Sequence, residues 1–153
     1  MSIGSSVATF DTVTEYLSWD HDRLDGLLDS VRAHVEAADW LRAQRTYSAF
    51  AEDLTRHIRL EEEIVLPLFE SRTGIAGPVP AMRRDHELIR DALGVLAVVV
   101  GLRDAVAFRA GLAVLVSLLS DHNDEEERAL YPVTDRVLPG REREILAARL
   151  ERE

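Results

Sequence analysis

Four of the five histidines in this 153-residue chain recur in one pattern. The stretch HIRLEEEIVLP covers residues 57–67, and HNDEEERALYP covers 122–132. Each sets a glutamate four residues after the histidine, a second glutamate beside it, and a proline ten residues after the histidine. Residues four apart on a helix share a face, so His57 with Glu61, and His122 with Glu126, each present an imidazole and a carboxylate in one direction. The pattern reaches further. Subtracting 65 from the second half places His86 on His21, His122 on His57, Glu126 on Glu61 and Glu127 on Glu62. Asp85 falls on Asp20, Leu93 on Leu28 and Pro132 on Pro67.

These polar groups interrupt apolar stripes. Leu54, His57, Glu61, Ile64 and Leu68 form one series at 3–4 spacing, as do Leu115, Leu119, His122 and Glu126. His21 lies between Leu17 and Leu24, and His86 between Met82 and Ile89. All six polar residues therefore point towards a core. An unpartnered buried carboxylate costs several kcal/mol, and a metal pair removes that cost. Imidazole and carboxylate without sulfur suit iron, manganese or zinc. Six donors exceed one tetrahedral zinc site. They suit two metals, each with two histidines, both bridged by Glu61 and Glu126. Ferritin-like di-iron bundles use Glu-x-x-His and are rich in carboxylates. The reversed order and histidine excess here argue for iron in a nitrogen-rich setting. His34 follows His21 by thirteen residues, which at about 100° per residue puts it on the far side of its helix, as a surface residue. Glu62, Glu63, Glu125 and Glu127 read as a solvated face near the helix ends, with an extra ligand or a proton relay among them as the alternative.

The elements that must carry these residues are helices. The breaks are TGIAGPVP at 73–80, weaker ones near 37–40 and 101–104, and LPG at 138–140. Between them the apolar period predicts helices over about 11–37, 40–71, 80–101 and 104–130, with a short fifth over about 141–152. Asp11 is a candidate N-cap for the first, and Pro80 suits the first turn of the third. The expected fold is all-α: an antiparallel up-down four-helix bundle over about 11–135 with a short C-terminal fifth helix. Each half is a hairpin whose first helix gives one histidine and whose second gives His-x-x-x-Glu. Two hairpins about a pseudo-twofold axis bring both sets to one level.

The length suits one domain over residues 1–153. The net charge of −10 disfavours nucleic acid, and the absence of cysteine excludes disulfides and thiolate metal sites. MSIGSSVATF has no basic n-region or long apolar core, so no secretory signal is expected. The most apolar run, 92–102, is too short to span a bilayer. A cytoplasmic protein without a membrane partner is the expectation.

His21, HIRLEEEIVLP, His86 and HNDEEERALYP together resemble the hemerythrin-like, or HHE cation-binding, domains over about 11–135. The resemblance implies a non-haem di-iron centre with an oxo or hydroxo bridge. It implies His21, His57, His86 and His122 as terminal ligands and Glu61 and Glu126 as bridging carboxylates. Oxygen-carrying hemerythrins place a further histidine four residues after the third-helix ligand, where this chain has Arg90. They also place an aspartate five residues after the fourth-helix histidine, where this chain has Glu126 at four. The related iron–sulfur repair proteins often carry a cysteine-bearing N-terminal segment, and this chain has no cysteine.

Without the further histidine, both irons keep an open position, which suits a small ligand spanning the pair and two-electron chemistry. The expected ligand is H2O2, O2 or NO. Catalase-like decomposition of hydrogen peroxide ranks first, followed by reversible O2 or NO binding or sensing, and then iron storage or sensing without turnover. No groove for a large substrate is evident in the sequence. Arg90 shares the His86 face and is a candidate to bond a bridging carboxylate or a bound anion. The helix phase makes a direct prediction. His57→Ala or His122→Ala should lower the iron bound per chain, and His34→Ala should leave it unchanged. Metal analysis of the three variants checks the phase, and loss of iron in His34→Ala would overturn it.

Overall fold

A computed structural model describes residues 10–153; residues 1–9, with most of the segment read as lacking a secretory signal, lie outside it. The order is α1 (Val13–Glu36), α2 (Trp40–Leu60), a π turn (Glu61–Val65), α3 (Leu66–Thr73), α4 (Pro78–Gly101), α5 (Ala105–Glu125), a second π turn (Glu126–Leu130), α6 (Tyr131–Arg136) and α7 (Gly140–Arg152). No strand occurs among the described residues. The fold is the expected all-α bundle with a short C-terminal helix.

The repeat extends into the hairpin turns. Asp39 caps α2 by accepting the Arg42 N–H at 3.2 Å, and Asp104 caps α5 by accepting the Ala107 N–H at 3.0 Å. The residue before each, Ala38 or Arg103, has φ near 55°. One left-handed residue followed by an aspartate cap thus reverses the chain in both halves. Three boundary readings change. Thr12, not Asp11, caps α1, accepting the Glu15 N–H at 3.0 Å. The third long helix starts at Pro78 rather than about 80, and Pro80 lies in its first turn as expected. The fourth runs on through the π turn to Arg136. That Ala105–Arg136 helix has the length and composition to cross a bilayer, which the sequence reading of 92–102 missed. Its outward Val106, Val114 and Val116 give it this character, while Phe108, Leu112, Leu115 and Leu119 pack inward.

The core is divided. One apolar cluster joins Leu24–Val35 of α1 to Phe50, Ile89, Leu96, Phe108 and Leu115. The other gathers Leu17, Leu60, Val65, Leu66, Phe69, Met82, Leu130 and Tyr131 with Leu146 and Leu150 of α7. The six candidate metal residues lie in the layer between them. The second cluster is closed by a long-range cap. The Asp135 carboxylate accepts the Val13 N–H at 2.9 Å, the Thr14 N–H at 3.0 Å and the Thr14 hydroxyl at 2.5 Å. It satisfies orphan donors at the start of α1 from the far end of the chain. Val13 is fully buried, so no water replaces that acceptor. Asp135→Ala should therefore cost about 1–3 kcal/mol of unfolding free energy. A change below about 0.5 kcal/mol in denaturant melts would show that the cap is not needed.

Candidate metal centre

His21 comes from the middle of α1 and His86 from the same level of α4. His57 and His122 stand in the last turns of α2 and α5. Glu61 and Glu126 each open a π turn. No member of the six is more than 4% exposed. They form two donor sets: His21, His57, Glu61 and Glu126, and then His86, His122, Glu61 and Glu126, each with donor atoms within 4.8 Å of one another. Each hairpin thus supplies its own histidine pair, and both sets share both carboxylates. The ring centroids are 4.7 Å apart in the first pair and 4.8 Å in the second.

The donors converge without satisfying one another. His86 Nε2 faces His122 Nε2 across 3.1 Å. Glu126 Oε1 lies 3.1 Å from His122 Nε2 and 3.5 Å from His21 Nε2, and Glu61 Oε2 lies 3.2 Å from His86 Nε2. Yet Glu61 Oε2, both oxygens of Glu126 and His21 Nδ1 make no hydrogen bond. Buried carboxylate oxygens left in this way are costly, and lone pairs aimed at shared points fit two cations held by nitrogen and oxygen.

Carboxylates also stand behind the histidines. Asp20 Oδ2 accepts from His57 Nδ1 at 2.8 Å, Asp85 Oδ2 from His122 Nδ1 at 3.2 Å and Glu62 Oε1 from His86 Nδ1 at 3.0 Å. Each turns Nε2 inward as the free donor. Glu127 is the fourth by symmetry, but its oxygen is 3.7 Å from His21 Nδ1. Burial would raise Asp20, but its bonds from His57 and Arg23 outweigh that and hold it below the ordinary carboxylate value.

Several readings are corrected here. Glu62 and Glu127 are not merely solvated; they lie behind His86 and His21. Arg90 reaches neither Glu61 nor Glu126. Its guanidinium holds Glu62 at 3.0 and 2.7 Å, and so acts on His86 only through Glu62. His34 is half-buried rather than on the surface, and lies outside both donor sets. Leu68 is half-buried and packs at the edge of the second apolar cluster, while Val65, Leu66 and Phe69 are buried within it.

Tyr131 was missed. Its hydroxyl donates to Glu61 Oε1 and stands 3.2 Å from His21 Nε2 and 3.5 Å from His57 Nε2. It therefore sits among the first donor set. In a regular α-helix a residue five beyond Glu126 would point about 140° away from it. The π turn is wider by about one residue and brings Tyr131 back to the same face. Its repeat partner is Leu66, so the second set has no phenol. The available signal was a tyrosine in place of leucine just before the repeated proline.

Without metal, protons take the place of cations. Burial opposes charge on His57, but Glu61 and Asp20 outweigh it and hold the imidazole at about 10. His122 is held at about 9, with burial outweighed by Glu126, Glu61 and Asp85. Burial and the neighbouring Glu61 push Glu126 up to about 8. Burial and His57 pull His21 down to about 4. His57, His122 and Glu126 thus bind protons more tightly in the folded chain. Their stabilisation is complete below the unfolded values of 6.5 for imidazole and 4.5 for carboxyl, and is lost as pH rises through about 8 to 10. The melting temperature of the metal-free chain should fall between about pH 7 and 10, and metal loading near pH 7 should release protons and abolish the decline. A level metal-free melting temperature across that range, followed by circular dichroism, would refute the exchange of protons for metal.

Comparison with known proteins agrees with this geometry. The Hemerythrin HHE cation binding domain family matches residues 12–134. A Schizosaccharomyces pombe protein, described as an uncharacterized hemerythrin-like protein, is 28% identical over 142 residues, covering 92% of this chain and 68% of its own length. No solved structure matches. With the family match spanning both histidine–glutamate segments, the chain belongs to the hemerythrin HHE cation-binding domain family.

Proposed function

We propose that this chain is a non-haem di-iron protein that decomposes hydrogen peroxide. The observation that carries the reading is the pair of buried four-donor sets sharing Glu61 and Glu126. Cations held by these two sets would share both carboxylates, which would suit a ligand of two joined oxygen atoms. A site with no donor more than 4% exposed excludes larger substrates. Nitrogen and oxygen donors without sulfur suit iron. When bound there, an iron pair supplies the two-electron exchange that converts two hydrogen peroxide molecules into dioxygen and two waters.

The remaining work belongs to the chain. Asp20, Asp85 and Glu62 fix three imidazoles so that Nε2 faces inward. Arg90 holds Glu62 in place from the surface. Decomposition also moves protons from the peroxide that is oxidised to the oxygens of the one that is cleaved. The Tyr131 hydroxyl, bonded to Glu61 and next to His21 and His57, is the group placed to hold a proton there. Burial, with Glu126 and Glu61 nearby, pushes this phenol well above its ordinary value, so it retains that proton in the metal-free chain.

The wild-type protein, loaded with iron, should evolve oxygen steadily from hydrogen peroxide. Tyr131→Phe should keep the iron and lose about a hundredfold in turnover, the lower end of the range for removing a positioned acid or base. Iron binding without oxygen evolution, but with a reversible spectral change under O2 or NO, would replace this reading with ligand binding or sensing. Iron binding with neither response would leave storage or iron sensing.

A further inference from the structure

The two hairpins do not close equally on both sides. α2 and α4 are joined through the core, where Tyr47 donates to the Leu93 carbonyl at 2.5 Å and Gln44 to the Val100 carbonyl at 3.3 Å. Between α1 and α5 lies an open groove of about 470 Å³, with His21 in its lining. Its walls carry Asp22, Asp25, Asp29, Asp124 and Glu127. Asp22, Asp25 and Asp29 form a stripe at 3–4 spacing, where like charges destabilise a helix. Burial first, then Asp22, Asp29 and Glu127, hold the Asp25 carboxyl above its ordinary value against the pull of His21. Among the described residues Arg32 is the one arginine lining the groove, and it is engaged by Asp29 at 3.1 Å.

His21 supplies the second observation. It is 3% exposed, and its Nδ1 has no hydrogen-bond partner. The other three histidines are each fixed from behind by a carboxylate. The repeat explains the difference. In the second hairpin Arg90 holds Glu62 against His86, but subtracting 65 from Arg90 gives Asp25. An aspartate cannot hold Glu127 against His21, and the Glu127 oxygen stays at 3.7 Å. The first hairpin thus exchanges a guanidinium brace for a negative wall beside an unfastened imidazole.

We infer that the α1–α5 groove is the loading route for the divalent cation, which is gathered by its acidic walls and received first by His21. This rests on reading the buried cluster as a metal centre. Negative walls concentrate a cation and repel anions, an effect that weakens as salt rises.

The test is the rate at which metal-free full-length protein takes up Fe2+, followed by stopped-flow spectroscopy without oxygen at low and high salt. The groove variant Asp25→Asn/Asp29→Asn/Asp124→Asn changes none of the six donors. It should reach the wild-type metal content but load at least about tenfold more slowly at low salt, with the salt dependence flattened. Asp25→Arg, which restores the residue type of the other hairpin, should slow loading as well. Glu70→Gln/Asp91→Asn/Glu144→Gln makes the same change in net charge on exposed positions outside the groove, and should load like wild type. Groove variants that load at the wild-type rate, or a control that slows equally, would overturn the route. A lowered final metal content in the groove variants would also overturn it, because the acids would then be binding groups rather than a path. Wild-type protein that binds no metal at equilibrium would instead remove the metal centre itself.

Discussion

Glu61 and Glu126 have no exposed surface, and the rest of the molecule is arranged around them. Two carboxylates at the centre of a helical bundle repel each other and lose their hydration, which neither apolar cluster can offset. Imidazoles at the same level supply protons or lone pairs according to what the cavity holds. His57 and His122 are pushed towards the charged form by those carboxylates, while Glu126 is pushed towards the neutral one. Protons are thus shared over a small set of atoms, several of which still lack hydrogen bonds. Such a layer is under-satisfied without a cation, and it divides the core into two stores of apolar contact, one on each side.

Each glutamate is delivered by a local change of helix type. The N–H groups of Leu66 and Tyr131 bond back five residues, to the carbonyls of Glu61 and Glu126. Pro67 and Pro132 follow directly. Proline cannot donate an N–H and crowds the carbonyl four residues earlier, so a regular α-turn there is disfavoured and the wider turn loses little. The widening moves the inward face, and that is why the histidine, the glutamate and a residue five beyond the glutamate all reach the core. The repeated proline ten residues after each histidine is therefore part of how the site is built.

The fold and the six inward donors were legible because both rest on local periodicity. A 3–4 stripe interrupted by His and Glu says that these groups face the core, and the offset of 65 says that it happens twice. What could not be read depends on departures from uniform helix phase or on contacts between helices. Leu68 was placed on the core face by extending the α period through a π turn, and Tyr131 was passed over for the same reason. Asp20 and Asp85 were visible as repeated residues, but their role requires knowing that neighbouring helices bring His57 and His122 within reach. Arg90 was correctly placed on the His86 face. Its length and exposure let it find Glu62 at the rim before Glu61 or Glu126.

The differences between the halves carry as much information as the repeat. Asp20 is buried behind His57 and braced by Arg23 at 2.8 Å, whereas the side chain of its counterpart Asp85 is 41% exposed. Tyr131 has only Leu66 as a counterpart, and Arg90 has Asp25. These departures affect different parts of the centre. The first histidine pair gains a phenol within hydrogen-bonding reach, and His21 loses the brace that its twin enjoys. The second pair keeps a rigid His86 but nothing in the place of Tyr131. A duplicated hairpin supplies two equivalent sets of donors by symmetry. Substitutions around them make the sets chemically unequal, with one side open to the acidic groove and the other fastened by a salt bridge. The two donor sets are therefore inequivalent in their surroundings although they share both carboxylates, so a cation in the first set would have a phenol beside it and one in the second would not.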